Sequence, residues 1–192
     1  MKKPATYHHG DLRNGLLQAG LALLEEQGLQ GLTLRGIAAR AGVSHAAPAH
    51  HFSSLKGLLT AMVTLAYNRF AAALAHERAT ASSEPAEQMR AAGRGYLGFA
   101  HENAALFRLM FSAIEIDWCS SEVQQAANSA RRQLSDIAQP YAAARGADPA
   151  VIETLIWSTV HGFAVLSIDG HLDGPGSPRS EMPDLVEWLF AG

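Results

Sequence analysis

A single cysteine, Cys119, stands in the 192 residues of the chain. That count excludes an internal disulfide and a cysteine-based zinc cluster, and nothing around Cys119 makes it a nucleophile. No uninterrupted apolar run reaches the roughly 18 residues that span a bilayer. The opening MKKPATYHHGDLR carries charge but no apolar core behind it, unlike a signal peptide. A cytoplasmic protein with no membrane partner is expected. Motifs with a catalytic mechanism are missing too: there is no H-x-x-x-H, no G-x-S-x-G, no phosphate loop and no G-x-G-x-x-G opening a helix after a strand. The pairs His8-His9 and His50-His51 are adjacent, so on a helix their side chains point about 100° apart and make no one-face chelate. No enzyme, metal or cofactor is expected.

What is present is apolar and helical. Hydrophobic residues make up 48% of the chain, enough for a sizeable core. The net charge of -3 is unevenly divided. Residues 1–60 hold six lysines and arginines against three acids, for +3, and the remainder, nine against fifteen, carries -6. Five of the nine histidines also lie in that first stretch. A basic, His-rich end beside an acidic remainder suits a DNA-reading head on a body with another task.

The head centres on Thr33 to Phe52, TLRGIAARAGVSHAAPAHHF. Thr33 is an N-cap for a helix over 33–40, whose Leu34, Ile37, Ala38 and Ala41 recur at helical spacing. Gly42 marks the turn, Val43 pins it to the core, and Ser44 is a second N-cap opening a helix over 44–51 with Pro48 near its first turn. Small residues there let a backbone approach base edges, and an Ala methyl can pack on a thymine methyl. The pattern is that of a helix-turn-helix, although an ordinary helical hairpin has the same local form. Before it, about Gly10 to Gln27 reads as a helix with Leu12, Leu16, Ala19, Leu23 and Leu24 on one stripe, stopped by Gly28. Lys2 and Lys3 precede it, free to reach a phosphate.

The stretch YHHGDLRNGLLQAGLALLEEQGLQGLTLRGIAARAGVSHAAPAHHFSSLKGLL resembles the amino-terminal domain of the TetR (tetracycline repressor) family of bacterial regulators. The likeness covers roughly residues 7–60 and lies in the glycine after the first helix, the Thr cap, Ile-Ala-x-x-Ala-Gly-Val-Ser and the closing His-Phe. It implies an all-α homodimer whose two heads read a pseudo-palindromic operator in double-stranded DNA, most simply as a ligand-responsive repressor. The expected division is a DNA-binding domain over 1–54 and an effector-binding and dimerisation domain over 55–192. Ser44, His45, Ala46, Ala47 and His50 are expected to face bases, and Thr33, Arg35, His51, Ser54 and Lys56 phosphates. Two departures stand out. Family members usually carry Tyr where this chain has Ala49, and Lys where it has Leu55, with Lys56 one place later.

After the head, helices are expected over 55–80, from Pro85 to near Asn103, around Leu106–Phe111, over Val123–Arg145 and from Pro149 through Ile168. An irregular Ile114–Ser121, a loop over 170–183 and a short helix over Asp184–Phe190 complete the reading. Tyr96, Phe99, Phe107, Met110, Phe111, Trp118, Trp157 and His161 could line an apolar pocket for a small effector, or simply be core. Trp157, His161 and Gly162 resemble the Trp-His-Gly signature of one subgroup of TetR carboxy-terminal domains, and Gly162 suggests close helix packing. In the family the last two long helices pair across the dimer axis. That implies an interface of Ile152, Ile156, Trp157, Val160, Phe163, Leu185, Trp188 and Leu189. The alternative from another class is a helical dimer that binds a small molecule or protein and no longer grips DNA, for which Ala49 is the best support.

Overall fold

The computed structural model describes residues 9–173 and 182–190; the side chains of residues 9–11 and of Trp188 lie outside that set. Lys2, Lys3, His8, most of the 170–183 loop and the Trp188 side chain therefore lie outside the described residues. Every regular element among the described residues is helical: α1 (His9–Gln27), α2 (Leu34–Arg40), α3 (Ala47–Phe52), α4 (Leu55–Thr80), α5 (Pro85–Glu102), α6 (Ala104–Phe111), α7 (Ser121–Arg145) and α8 (Pro149–Ile168). A short 3-10 turn, Leu29–Gly31, and a terminal π-helical turn, Val186–Phe190, complete them.

The chain forms two compact units. The first comprises residues 1–66 and 105–124, so α6 and the segment after it join the head. Its core is built from Leu16, Leu24, Leu32, Ile37, Phe52, Leu58, Met62 and Phe107, all buried. Gly20 lets α1 pass close to α4: an added Cβ would stand 3.3 Å from Met62 Sδ. The guanidinium of Arg13 covers the Phe52 ring, 5.0 Å from its centroid. Arg40 closes α2 onto the end of α1 with a two-pronged ion pair to Glu26, at 2.6 and 2.7 Å.

The second unit, residues 67–104 and 125–192, packs α5 on α8 as its main contact. Gly95 marks where α5 runs against α4, since a Cβ there would lie 2.8 Å from the Ala73 carbonyl oxygen and 3.0 Å from Leu74 Cα. Asp148 caps α8 by accepting the Ala150 N–H at 2.9 Å, with Pro149 opening the helix. Arg90 ties α5 to the returning terminal segment through Asp184.

Two helices stand out by mean hydropathy over a window, although neither holds an unbroken apolar run of that length. Leu55–Thr80 and Pro149–Ile168 are each long and apolar enough to cross a membrane by length and composition. Half of the α4 window is buried inside the protein, but only 22% of the α8 window is. Reading for unbroken apolar runs misses α8 because Glu153, His161 and several hydroxyl residues interrupt it. Thr154, Ser158 and Thr159 donate those hydroxyls back to the carbonyls of Ala150, Thr154 and Leu155 at 2.7–2.8 Å, so the interruptions are not free polar groups. Membrane core helices and the buried or paired helices of other proteins share that composition.

Candidate nucleic-acid interface

The helix-turn-helix is held by its own backbone bonds. Thr33 caps α2, its hydroxyl accepting the Gly36 N–H at 3.0 Å. Gly42 takes φ 68°, where a residue without Cβ costs least, and the Val43 N–H returns to the Ala38 carbonyl at 3.0 Å.

The second helix begins later than the sequence suggests. It runs from Ala47, not Ser44, and Ser44 does not cap it. Pro48 is the cause. A helix opening at Ser44 would need the residue-48 N–H to bond the Ser44 carbonyl, and proline has none. The Ala47 N–H takes that carbonyl instead, at 3.0 Å, and Pro48 falls in the first turn where its missing donor is harmless.

That shift re-sorts the residues expected to face bases. Ala47 is buried, as are Pro48 and Phe52, and these three seat α3 on the head rather than offering contacts. The expectation for Ala47 is therefore corrected. Ser44, His45, Ala46, Ala49 and His50 are exposed, with Ala49 at the place sequence reasoning treats as a loss, and His51 is half-buried.

On the phosphate side, Thr33, Arg35, Ser54 and Lys56 are exposed. Ser54 caps α4, accepting the Gly57 N–H at 3.1 Å. Lys56 is engaged already: its ammonium donates to Glu115 at 2.8 Å. That hydrogen bond and its charge pairing hold the Lys56 ammonium above the usual lysine range and the Glu115 carboxyl below the usual carboxylate range. Sequence reasoning missed Glu115, because no local pattern brings an irregular segment 59 residues away to the start of α4.

The expected effector residues divide between the units. Tyr96, Phe99, Trp157 and His161 gather in the second. The Tyr96 hydroxyl is 2.9 Å from His161 Nδ1, and Phe70 packs its ring on Tyr96 and Phe99 at 4.9 and 5.3 Å. Phe70 belongs to the same cluster and was legible only as part of the α4 stripe. Phe107 and Met110 are buried in the first unit, where Phe111 meets Phe107 edge-on with ring centroids 5.0 Å apart. Trp118, on the irregular stretch between α6 and α7, is 50% exposed and is no wall of an enclosed pocket. A cavity of about 280 Å³ in the second unit is lined instead by α5 residues such as Met89, Gly93 and Leu97 and by Met182–Leu185.

Of the residues expected at a dimer interface, Ile152, Ile156, Val160 and Leu185 are buried within the protomer, and Phe163 is half-buried. Trp157 and Leu189 are exposed. The remaining exposed apolar residues of α8 are Val151, Leu155 and Leu166, one stripe with Ser158, Thr159 and Gly162 between them. Among the described residues nothing lies within 4 Å of a Cβ added at Gly162, so they do not pack closely on that glycine.

Residues 16–62 match the family described as bacterial regulatory proteins, tetR family, and residues 89–191 match the tetracyclin repressor-like C-terminal domain. The chain belongs to the TetR family. Its members are transcriptional regulators, not enzymes. The HTH-type transcriptional regulator BetI of Burkholderia thailandensis is 38% identical over 79 residues, covering 41% of this chain and 40% of that one. BetI of Stenotrophomonas maltophilia is 31% identical over 97 residues, half of each chain. The chain thus spans half or less of the length of these curated relatives. Among solved structures, a protein of unknown function from a Rhodococcus species superposes with a TM-score of 0.77 at 34% identity, over 90% of both chains. The TetR family regulator PfmR from Thermus thermophilus shares the fold, with a TM-score of 0.63 at 20% identity over 80% of this chain and 84% of that one.

Proposed function

We propose that this TetR family protein is a homodimeric repressor that reads a pseudo-palindromic operator and releases it on binding a small, largely apolar effector. The observation that carries the reading is the exposed row of Ser44, His45 and Ala46 in the turn and Ala49 and His50 on α3, the short helix that Ala47, Pro48 and Phe52 seat on the head. Small side chains there permit close approach to the major groove, and hydroxyl and imidazole groups supply donors and acceptors. Thr33, Arg35, His51 and Ser54 flank that row as phosphate contacts, where position rather than sequence is read, and Lys56 joins them when it is freed from Glu115. Residues 1–54 form the reading part in this account, and residues 55–192 the part that binds effector and partner. The cytoplasm is where such a protein would meet its DNA.

The α8 stripe supports the dimer. Val151, Leu155 and Leu166 are exposed without a cover in one protomer, and the hydroxyls between them already bond their own helix. A second copy of the same stripe would remove that apolar surface from water, with Gly162 leaving room for close approach. Trp157 and Leu189 extend the surface. Tyr96, Phe99, Trp157 and His161 are the proposed effector contacts, an aromatic cluster with one polar pair.

Hydroxyl-radical footprinting on the DNA upstream of the protein's own coding region tests the reading. Two protected patches on one face of the duplex, centred about 34–36 Å apart, are the expected result. A single patch, or uniform protection along the fragment, would reject paired heads.

A further inference from the structure

The ion pair between Lys56 and Glu115 is built, not incidental. Ile116, next to the carboxylate, is buried, and the Asp117 N–H donates to Thr60 Oγ1 at 2.9 Å. Thr60 is itself buried and donates its hydroxyl to the Lys56 carbonyl at 2.8 Å. One threonine therefore fixes both the backbone beside Glu115 and the backbone of Lys56. The two charged groups meet at 2.8 Å while remaining exposed, at 45% for Lys56 and 85% for Glu115. An ion pair so exposed adds little to stability. Its position has a larger consequence, because Lys56 is the cation of the α4 first turn, two residues after the capping Ser54. The same segment changes the charge of the head. Residues 1–66 alone carry +3, whereas residues 105–124 bring Arg108 against Glu115, Asp117 and Glu122, so the whole first unit carries only +1.

We propose that Glu115 is an intramolecular stand-in for a DNA phosphate, occupying Lys56 and holding operator affinity below what the head could otherwise reach. The inference rests on the DNA-reading role proposed above. While Glu115 holds it, the Lys56 ammonium neutralises a carboxylate instead of a phosphate and contributes nothing to counterion release. Freed, it adds one phosphate contact per head.

The test is a fluorescence-anisotropy titration of the full-length protein on its promoter fragment over a series of salt concentrations. It compares wild type, Glu115→Gln, Lys56→Gln and the double variant. Glu115→Gln is expected to tighten binding by roughly threefold to tenfold at low salt. Its slope of log affinity against log salt should steepen by about 0.9 per head. In the Lys56→Gln background the same change should alter affinity less than about twofold and leave the slope unchanged. Equal tightening in both backgrounds would overturn the proposal, since Glu115 would then act by distant repulsion and not by occupying Lys56. Wild-type affinity and slope in Glu115→Gln would overturn it as well. Specific binding by the wild type in the same titration shows that such a failure belongs to the ion pair, whereas no specific binding by any variant rejects the DNA-reading role and this inference with it.

Discussion

Tyr96 and His161 join α5 to α8 through a hydrogen bond of 2.9 Å between the phenol oxygen and Nδ1. Burial pushes the Tyr96 phenol well above its ordinary range, partly offset by a hydrogen bond with the Trp157 side chain, so it stays protonated. Burial also lowers His161 below its ordinary value of 6.5, which favours the neutral ring, and in the tautomer protonated on Nε2 its Nδ1 accepts from the phenol.

A pH dependence of stability follows. The folded His161 takes its proton at lower pH than the unfolded one, so the unfolded chain binds more protons as pH falls. Stability is fully present above the ordinary value and declines as pH drops through 6.5 toward the lowered folded value. The denaturant midpoint of the wild type should therefore fall more steeply between pH 7.5 and 5.5, roughly the range over which histidine titrates, than that of His161→Gln. The glutamine can still accept from Tyr96 but does not titrate. Parallel pH profiles would remove His161 from the account.

Gly57 is irreplaceable for a steric reason. A Cβ on this residue would run into the carbonyl oxygen of Phe52, which is fixed by the turn carrying Ser53 at φ 61°. Since the obstacle is backbone, no side-chain rotation relieves it. Gly57→Ala should cost about 2–3 kcal/mol in chemical denaturation and lower the thermal midpoint of the head. A loss below about 0.5 kcal/mol, the size of an ordinary surface change, would contradict the crowding.

Several features of the head were legible because their causes are local. A threonine before an apolar stripe and a glycine at the turn each act within four residues, and Thr33 and Gly42 do what that chemistry requires. The start of α3 was misplaced for an equally local reason, the missing N–H of Pro48. The body was harder to read. Because α8 is apolar on every side, its spacing cannot separate the buried Ile152, Ile156 and Val160 from the exposed Val151 and Leu155. Glu115 and Trp118 lie on a stretch without periodicity, where only the folded chain decides what they meet.

The exposed Ala49 predicts a gain of function. A tyrosine there would offer a neutral donor to a phosphate oxygen, a hydrogen bond to a charged acceptor. Ala49→Tyr should bind the promoter fragment about three- to tenfold more tightly. Its salt slope should not change, because no charge is added. Unchanged affinity would show that the α3 position does not reach the backbone.

Leu155 tests the dimer without touching the protomer core. Being 43% exposed in one chain, it can be replaced with little cost to the fold, yet a charge there faces its own copy in the proposed interface. Leu155→Lys should sediment as a monomer with an unchanged circular-dichroism spectrum, and should lose at least about tenfold in promoter affinity as the second head is lost. A variant that remains a dimer would move the interface off α8.

The most direct test of the DNA-reading role is the ratio of affinities for the protein's own promoter fragment and for a scrambled fragment of equal length, measured at two salt concentrations. A preference of about 10³ or more for the promoter is expected. Both affinities should fall by several powers of the salt concentration. Equal affinities for the two fragments at both salts would contradict it, leaving a helical dimer with a head that no longer reads sequence.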